Sequence, residues 1–290
     1  MRKPIRREER NEVMKVLHTV TDFRAARGGV PEPVGLVPTM GALHAGHLSL
    51  VQRARKECAT VVMSIFVNPT QFGPHEDLSR YPRPLERDLQ LAREAGVDLV
   101  FNPPAEEMYP SGFSTHIEVG GPALRWEGER RPGHFRGVAT VVAKLFAIVT
   151  PQRAYFGQKD FQQLAVVRRM VNHLNLPVDV IGCPTIREAD GLALSSRNVY
   201  LIGENRPFAT ALHNALAEGR RRIDSGERDG EAVRGAMERV LLDTPGVSVE
   251  YTAVVDPQTL EPLTRIEGPA HGLIAARLGP VRLIDNQPLH

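Results

Sequence analysis

Cysteine is scarce in this chain of 290 residues: Cys58 and Cys183 are the only two. Two thiols exclude a disulfide framework and a four-cysteine metal site. Both sit beside apolar residues and are expected to be buried and free, which points to a reducing, cytoplasmic setting. No run approaches the roughly 18 apolar residues of a membrane span. The opening MRKPIRREERNE has no apolar h-region, so no signal peptide is read there, and its acids argue against a transit peptide. Charge of one sign is also lacking. The net charge is +2 with histidines neutral, so nothing global directs the protein to nucleic acid or a membrane surface. Internal repeats and low-complexity tracts are absent.

What remains is the composition of an ordinary soluble globular protein, 42% hydrophobic and 24% charged. The length is ample for a sizeable core and for about two domains. Residues 1–13 read as a mobile extension.

The chain is organised around residues 34–50, VGLVPTMGALHAGHLSL. An apolar strand, Val34 to Val37, runs into a loop holding Gly41, Gly46, His44 and His47, and then a helix in which Leu48, Val51 and Ala54 recur at helical spacing. In an open α/β sheet such a turn lies at the carboxyl end of a strand, where ligands bind. The free N–H groups of the new helix suit it to phosphate.

The remaining elements follow in alternation. Residues 14–20 read as a strand and DFRAAR as a short helix capped by Thr21. TVVMSIFV, residues 60–67, has the continuous β-branched character of a strand buried on both faces. Arg83-Pro84 opens the helix LERDLQLAREAG, and DLVF, residues 98–101, is another strand. Residues 102–133 are irregular except for a strand-like STHIEV. A buried helix is expected over 138–149, a strand over 153–156, an amphipathic helix on Leu164, Val167, Val171 and Leu174, and a last parallel strand over 178–184. This pattern predicts an α/β, Rossmann-like doubly wound parallel sheet over residues 14–185. Residues 186–290 then read as a smaller C-terminal α+β domain, with helices near 205–223 and 230–243 and strands near 247–255, 272–276 and 281–285.

Four polar loops follow strands: PTMGALHAGH, NPTQF, FGQKDFQQL and ADGLALSSRN. Singly each has a bland reading as a turn or a helix cap. Jointly they supply what phosphate chemistry needs: helix N-terminal N–H groups, a lysine point charge, and arginine and hydroxyl donors. Phosphoryl and nucleotidyl transfer depend on positioning and charge stabilisation. Gln71 and Gln163, neutral and bidentate, suit the hydroxyls of a small polar second substrate.

With these residues assembled, the chain closely resembles the pantothenate synthetase (pantoate–β-alanine ligase) family of the HxGH nucleotidyltransferase superfamily. The resemblance is carried by PTMGALHAGH, FVNPTQF, RYPR with Asp88 downstream, RPGHFRGVATVV, FGQKDFQQL, READGLALSSRNVYL and RLIDN, from Met14 to Asn286. It implies a two-step ligation through pantoyl adenylate, with pyrophosphate and then AMP released. Met40, Gly41, Ala42, Leu43, His44, Ala45, Gly46 and His47 would then line the ATP site. Gly157, Gln158, Lys159 and Asp160, with Leu194, Ser195, Ser196 and Arg197, would hold ATP, and the backbone of Ile186 would meet adenine. His44, His47, Lys159 and Arg197 would be catalytic, and Gln71 and Gln163 would hold pantoate, with Gln71 also near β-alanine. SSRN takes the place of the superfamily's mobile KMSKS-type loop and would act as a lid. Mg²⁺ is implied by ATP chemistry, with Asp88 as the matching ligand. Arg87 stands where some members carry a second acid next to Asp88, and Gln158 where many carry Glu. The family also implies a homodimer with no nucleic-acid or membrane partner.

Several residues keep plain readings. His134 reads as a structural histidine, Trp126 as a surface anchor, His75, Glu76 and Asp77 as a solvated loop, and Arg220 to Arg222 as an exposed helix face. The competing functions are a same-fold enzyme that stops at pyrophosphate release, like phosphopantetheine adenylyltransferase, and a synthetase-like tRNA-binding module. Gln71, Gln163 and the SSRN segment weigh against the first. The near-neutral charge weighs against the second.

Overall fold

In the computed structural model, residues 14–74, 76–201 and 203–290 are described. The expected extension, residues 1–13, and His75 lie outside them.

The first half alternates as the hydrophobic pattern requires: β1 (Lys15–Leu17), α1 (Val20–Arg27), β2 (Val34–Thr39), α2 (Ala45–Glu57), β3 (Thr60–Ile65), α3 (Leu85–Ala95) and β4 (Leu99–Phe101). Short helices α4 (Ala105–Met108) and α5 (Glu127–Arg130) precede α6 (His134–Val149), β5 (Arg153–Gly157), α7 (Phe161–His173) and β6 (Asp179–Cys183). The six strands form one parallel sheet in the order β1-β4-β3-β2-β5-β6. Alternate strand residues face opposite sides. Leu36 and Val62 pack with Phe23 of α1 and with α6 and α7, whereas Val37, Val61 and Met63 pack with Leu50, Val51 and Ala54 of α2 and Ala92 of α3. Helices therefore cover both faces, and the sheet is doubly wound and Rossmann-like. Twelve of the sixteen residues of α6 are buried, which suits a helix that is apolar nearly all round.

The chain leaves β2 towards β3 on one side and returns on the other side as β5. That reversal is the switch point at which open α/β sheets leave a crevice.

The last third holds α8 (Ala211–Asp224), α9 (Gly230–Leu242) and an antiparallel sheet of β7 (Val247–Val255), β8 (His271–Leu278) and β9 (Val281–Pro288). It has its own core, with Leu216, Met237 and Ile274 at the centre.

Four details differ from expectation. Thr19, not Thr21, caps α1, accepting from the Asp22 N–H at 3.1 Å. STHIEV forms no strand; its Ile117 N–H donates to the Thr140 hydroxyl at 3.0 Å. Leu174 ends α7 as its C-cap and is 51% exposed, outside the buried stripe. A 3₁₀ segment, Gly203–Thr210, occupies the first part of the helix expected from 205, with Pro207 inside it. As expected, Cys58 and Cys183 are buried and free. Among the described residues no helix is long and apolar enough to cross a membrane.

Candidate active site

The loop after β2 is shaped by its own polar groups. His44 is the N-cap of α2, and its Nδ1 accepts from the Gly46 N–H at 3.1 Å. His47 Nδ1 accepts from the His44 N–H at 3.4 Å, so the two rings cap one helix turn reciprocally. A Cβ on Gly46 would come within 2.8 Å of the His44 ring, so glycine is required there. The ring centroids lie 4.1 Å apart. Burial holds both imidazoles below their ordinary range, His47 down to about 3 with the neighbouring His44 adding to the effect. Both are neutral near pH 7. Because each Nδ1 is an acceptor, each proton sits on Nε2, the free edge.

Across the switch point, β5 ends at Gly157 and a 3₁₀ turn, Gln158–Asp160, carries Lys159 into the same crevice. Asp160 lies 3.7 Å from the Lys159 ammonium. A cavity of about 230 Å³ spans the two loops, with His44, His47, Lys159, Gln71, Gln163 and Leu194 among its lining residues. Its lining also includes apolar side chains, Val138 and Val142 of α6 and Phe156 of β5. A larger cleft of about 590 Å³ adjoins it, sharing Arg131, Lys159, Asp160, Ser195 and Arg197.

Gln71 is held firmly. Its Oε1 accepts from Asn68 Nδ2 at 3.1 Å and its Nε2 donates to Met40 Sδ at 2.9 Å. Its turn is pressed onto α6 at Gly137, where a Cβ would meet the Thr70 carbonyl at 2.4 Å. Gln163 lines the cavity from α7, while its neighbour Gln162 turns away and bonds the backbone at Pro122, Arg125 and Glu127.

The SSRN segment closes one side. Ser195 caps the 3₁₀ turn Ser196–Tyr200. Arg197 makes two bonds to Asp77, at 2.9 and 2.8 Å, and its guanidinium lies 5.6 Å from the Tyr81 ring centre. The Tyr81 and Ser196 hydroxyls are 3.3 Å apart. A short hairpin, closed by Leu194 N–H to Ile186 O at 2.9 Å, brings Ile186 and Leu194 together at the cavity.

Matching against known families and structures gives the decisive observation. A model of pantoate-beta-alanine ligase matches residues 12–288. The chain belongs to the pantoate–β-alanine ligase family. A pantothenate synthetase of Thermus thermophilus is 57% identical over 94% of this chain and 98% of its own length. One of Roseiflexus castenholzii is 56% identical over 94% and 98%. A crystal structure of the Thermus thermophilus enzyme superposes with a TM-score of 0.91 at 56% identity, covering 96% of this chain and 100% of that one. A Francisella tularensis pantoate-beta-alanine ligase, solved with an ATP ligand and β-alanine, superposes with a TM-score of 0.79 at 34% identity, covering 96% and 98%.

Within this ligase fold the structure brings His44, His47, Gln71, Lys159, Gln163, Ile186, Leu194, Ser195, Ser196 and Arg197 to one cavity. Asp88 is not among them. The expected metal ligand is 1% exposed on α3, and its two carboxylate oxygens accept from the Ala42 and Leu43 N–H groups at 2.8 Å each. It braces the histidine loop from behind, and burial raises its pKa while those two amide bonds act against the rise. Among the described residues no cluster of three or more His, Cys, Asp or Glu is placed to hold a metal. Asp88→Asn is therefore expected to lower stability by about 1–3 kcal/mol, since one N–H would face an NH₂ group. The Mg²⁺ concentration for half-maximal activity is expected to stay unchanged. An altered Mg²⁺ requirement at unchanged melting temperature would restore a metal role.

Glu76 and Asp77 are likewise not a solvated loop. Glu76 binds Arg131 at 2.8 and 2.6 Å, and Arg131 Nη1 donates to His134 Nε2 at 3.1 Å. The His134 Nδ1–H then donates to the Gln71 carbonyl at 2.8 Å. Sequence reasoning missed this support and the roles of Asn68 and Asp77. Asn68 and His134 lie within FVNPTQF and RPGHFRG, whereas nothing in the sequence marks Asp77. Burial, with the charge of Arg131 second, pushes His134 from 6.5 down to about 4. Below pH 6.5 the unfolded chain thus takes up a proton that the folded one refuses, and stability falls as the pH drops towards 4. At pH ~5 this histidine contributes a loss of about 2 kcal/mol. His134→Asn is expected to reduce the fall in melting temperature between about pH 7 and about pH 5; an unchanged fall would contradict the assignment.

Proposed function

We infer that the protein joins pantoate to β-alanine at the cost of ATP, forming pantothenate, pyrophosphate and AMP. The observation that carries this reading is one cavity whose lining combines two unlike sets of groups. Apolar Val138, Val142 and Phe156, with Gln71 and Gln163 in the same lining, match an acid with a gem-dimethyl carbon and two hydroxyls. His44 and His47 with Nε2–H donors, Lys159 and Arg197 line it too and match a triphosphate.

In the proposed chemistry a pantoate carboxylate oxygen attacks the α-phosphorus of ATP. The new P–O bond forms as the α–β bridging bond breaks, and pyrophosphate leaves with the electron pair. His44 and His47 donate to the phosphate oxygens, and Lys159 neutralises the charge developing on pyrophosphate. The β-alanine amine then attacks the acyl carbon, AMP leaves, and the ammonium proton passes to solvent. The Ile186 carbonyl is occupied by Leu194, so its N–H is proposed as the adenine contact. Mg²⁺ is proposed to enter with ATP as part of the substrate: Asp77 and Glu76 are engaged by arginines, which leaves Asp160 as the available carboxylate.

Residues 14–185 are proposed as the domain that binds ATP and pantoate, and 186–290 as a smaller domain that carries the lid. Arg197 is proposed to leave Asp77 for phosphate when ATP binds, excluding water from the adenylate. A cytoplasmic homodimer belongs to the same reading, and the buried free thiols fit the compartment.

The test is isotopic. Pantoate labelled with ¹⁸O in its carboxylate is expected to pass one labelled oxygen to AMP during turnover. Label in free phosphate with ADP formed would mean an acyl phosphate and would contradict adenylation.

A further inference from the structure

The RLIDN motif near the C-terminus lies outside the smaller cavity's lining, with Arg282 to Asp285 lining the adjoining cleft, and has no part in the chemistry above. Yet it holds three buried polar side chains together. Asp285, Asn286 and His271 are 5%, 6% and 5% exposed. Consecutive strand residues point to opposite sides, so Asp285 and Asn286 on β9 reach different segments.

Asn286 Nδ2 donates to two backbone carbonyls, Gln158 O at 3.0 Å and Lys159 O at 2.7 Å. Carbonyls only accept, so the amide nitrogen must face them. Its Oδ1 then faces His271 Nε2 at 2.9 Å, and that nitrogen must carry the proton. His271 is itself fixed, stacked on Phe161 with ring centroids 3.7 Å apart and planes 8° from parallel. Phe161 is the first residue of α7, directly after the lysine turn. On the other side, Asp285 binds Arg187 through two bonds, at 2.6 and 2.9 Å. Arg187 also donates to Gly191 O at 2.9 Å, across the hairpin that carries Ile186 and Leu194. The two walls of the crevice thus hang from one dipeptide of the C-terminal sheet.

We propose that Asp285 and Asn286 are positioning residues for ATP, Asn286 setting the Gln158–Asp160 turn so that Lys159 meets phosphate, and Asp285 setting the hairpin through Arg187. The proposal rests on the assignment of Lys159 and that hairpin to ATP. It couples the C-terminal sheet to nucleotide binding through the turn and the hairpin that the two side chains hold.

The test measures binding of a non-hydrolysable ATP analogue to the full chain by calorimetry, with pantoate KM and melting temperature alongside. Asn286→Ala is expected to weaken the analogue by about tenfold while pantoate KM holds. Asn286→Asp, equal in size but with no donor, is expected to do the same. In the double variant with Lys159→Ala, the loss is expected to be no greater than with Lys159→Ala alone, because both act through one group. Wild-type affinity in Asn286→Asp, or fully additive losses in the double variant, would overturn the proposal. Wild-type affinity in Lys159→Ala would instead remove the ATP assignment on which it stands.

Discussion

Replacing His47 by alanine is expected to slow adenylation by ~10²–10³, the scale for losing one electrostatic donor at a developing charge. The geometry gives the reason. His47 uses Nδ1 to accept a backbone N–H, so its Nε2–H is fixed as a donor into the cavity. With its pKa depressed to about 3, it begins as a neutral donor and not as a cation. His47→Gln retains an N–H at a similar reach and is expected to recover part of the loss. His44 needs a different substitution. It caps α2, and alanine there would also cost about 0.5–2 kcal/mol of helix stability. Asparagine preserves the cap and removes the ring, so His44→Asn isolates the catalytic share. Losses below about fivefold at both positions would contradict charge stabilisation by the pair.

The second large effect is expected at Lys159. Lys159→Ala should lower kcat/KM for ATP by about 10² or more while the melting temperature stays nearly constant. The side chain is 20% exposed, and its ion pair is with Asp160 at 3.7 Å. Such pairs contribute about 0–1 kcal/mol to stability, so the residue has little structural work to lose. Arginine is not expected to substitute well, because its planar fork cannot occupy the place of a compact point charge. A fall of many degrees in melting temperature, with ATP kinetics preserved in the folded fraction, would make Lys159 structural instead.

Much of this site was legible in the sequence because its parts are local. The strand, loop and helix at 34–50 declare themselves through a continuous apolar run, glycines and a new helical period, and the doubly wound parallel sheet follows from the alternation. The GQKD and SSRN loops could be placed for the same reason. What escaped is what depends on the partner chosen by the fold. Asp88 looked like a metal ligand beside a phosphate loop, but its carboxylate meets two backbone N–H groups 45 and 46 residues earlier in the chain. Arg197 read as a free phosphate ligand, but Asp77, 120 residues away, holds it in this structure. Neither spacing has a periodicity to detect. The cap of α1 was misplaced by two residues because Thr19 and Thr21 are both good caps, and only the backbone path distinguishes them.

The central claim is that the cavity makes an acyl adenylate of pantoate before β-alanine reacts. Exchange of labelled pyrophosphate into ATP measures that half-reaction alone. The account requires exchange that depends on pantoate and proceeds without β-alanine, with net AMP release appearing only when β-alanine is added. Absence of pantoate-dependent exchange, with pantothenate still formed on adding β-alanine, would contradict it.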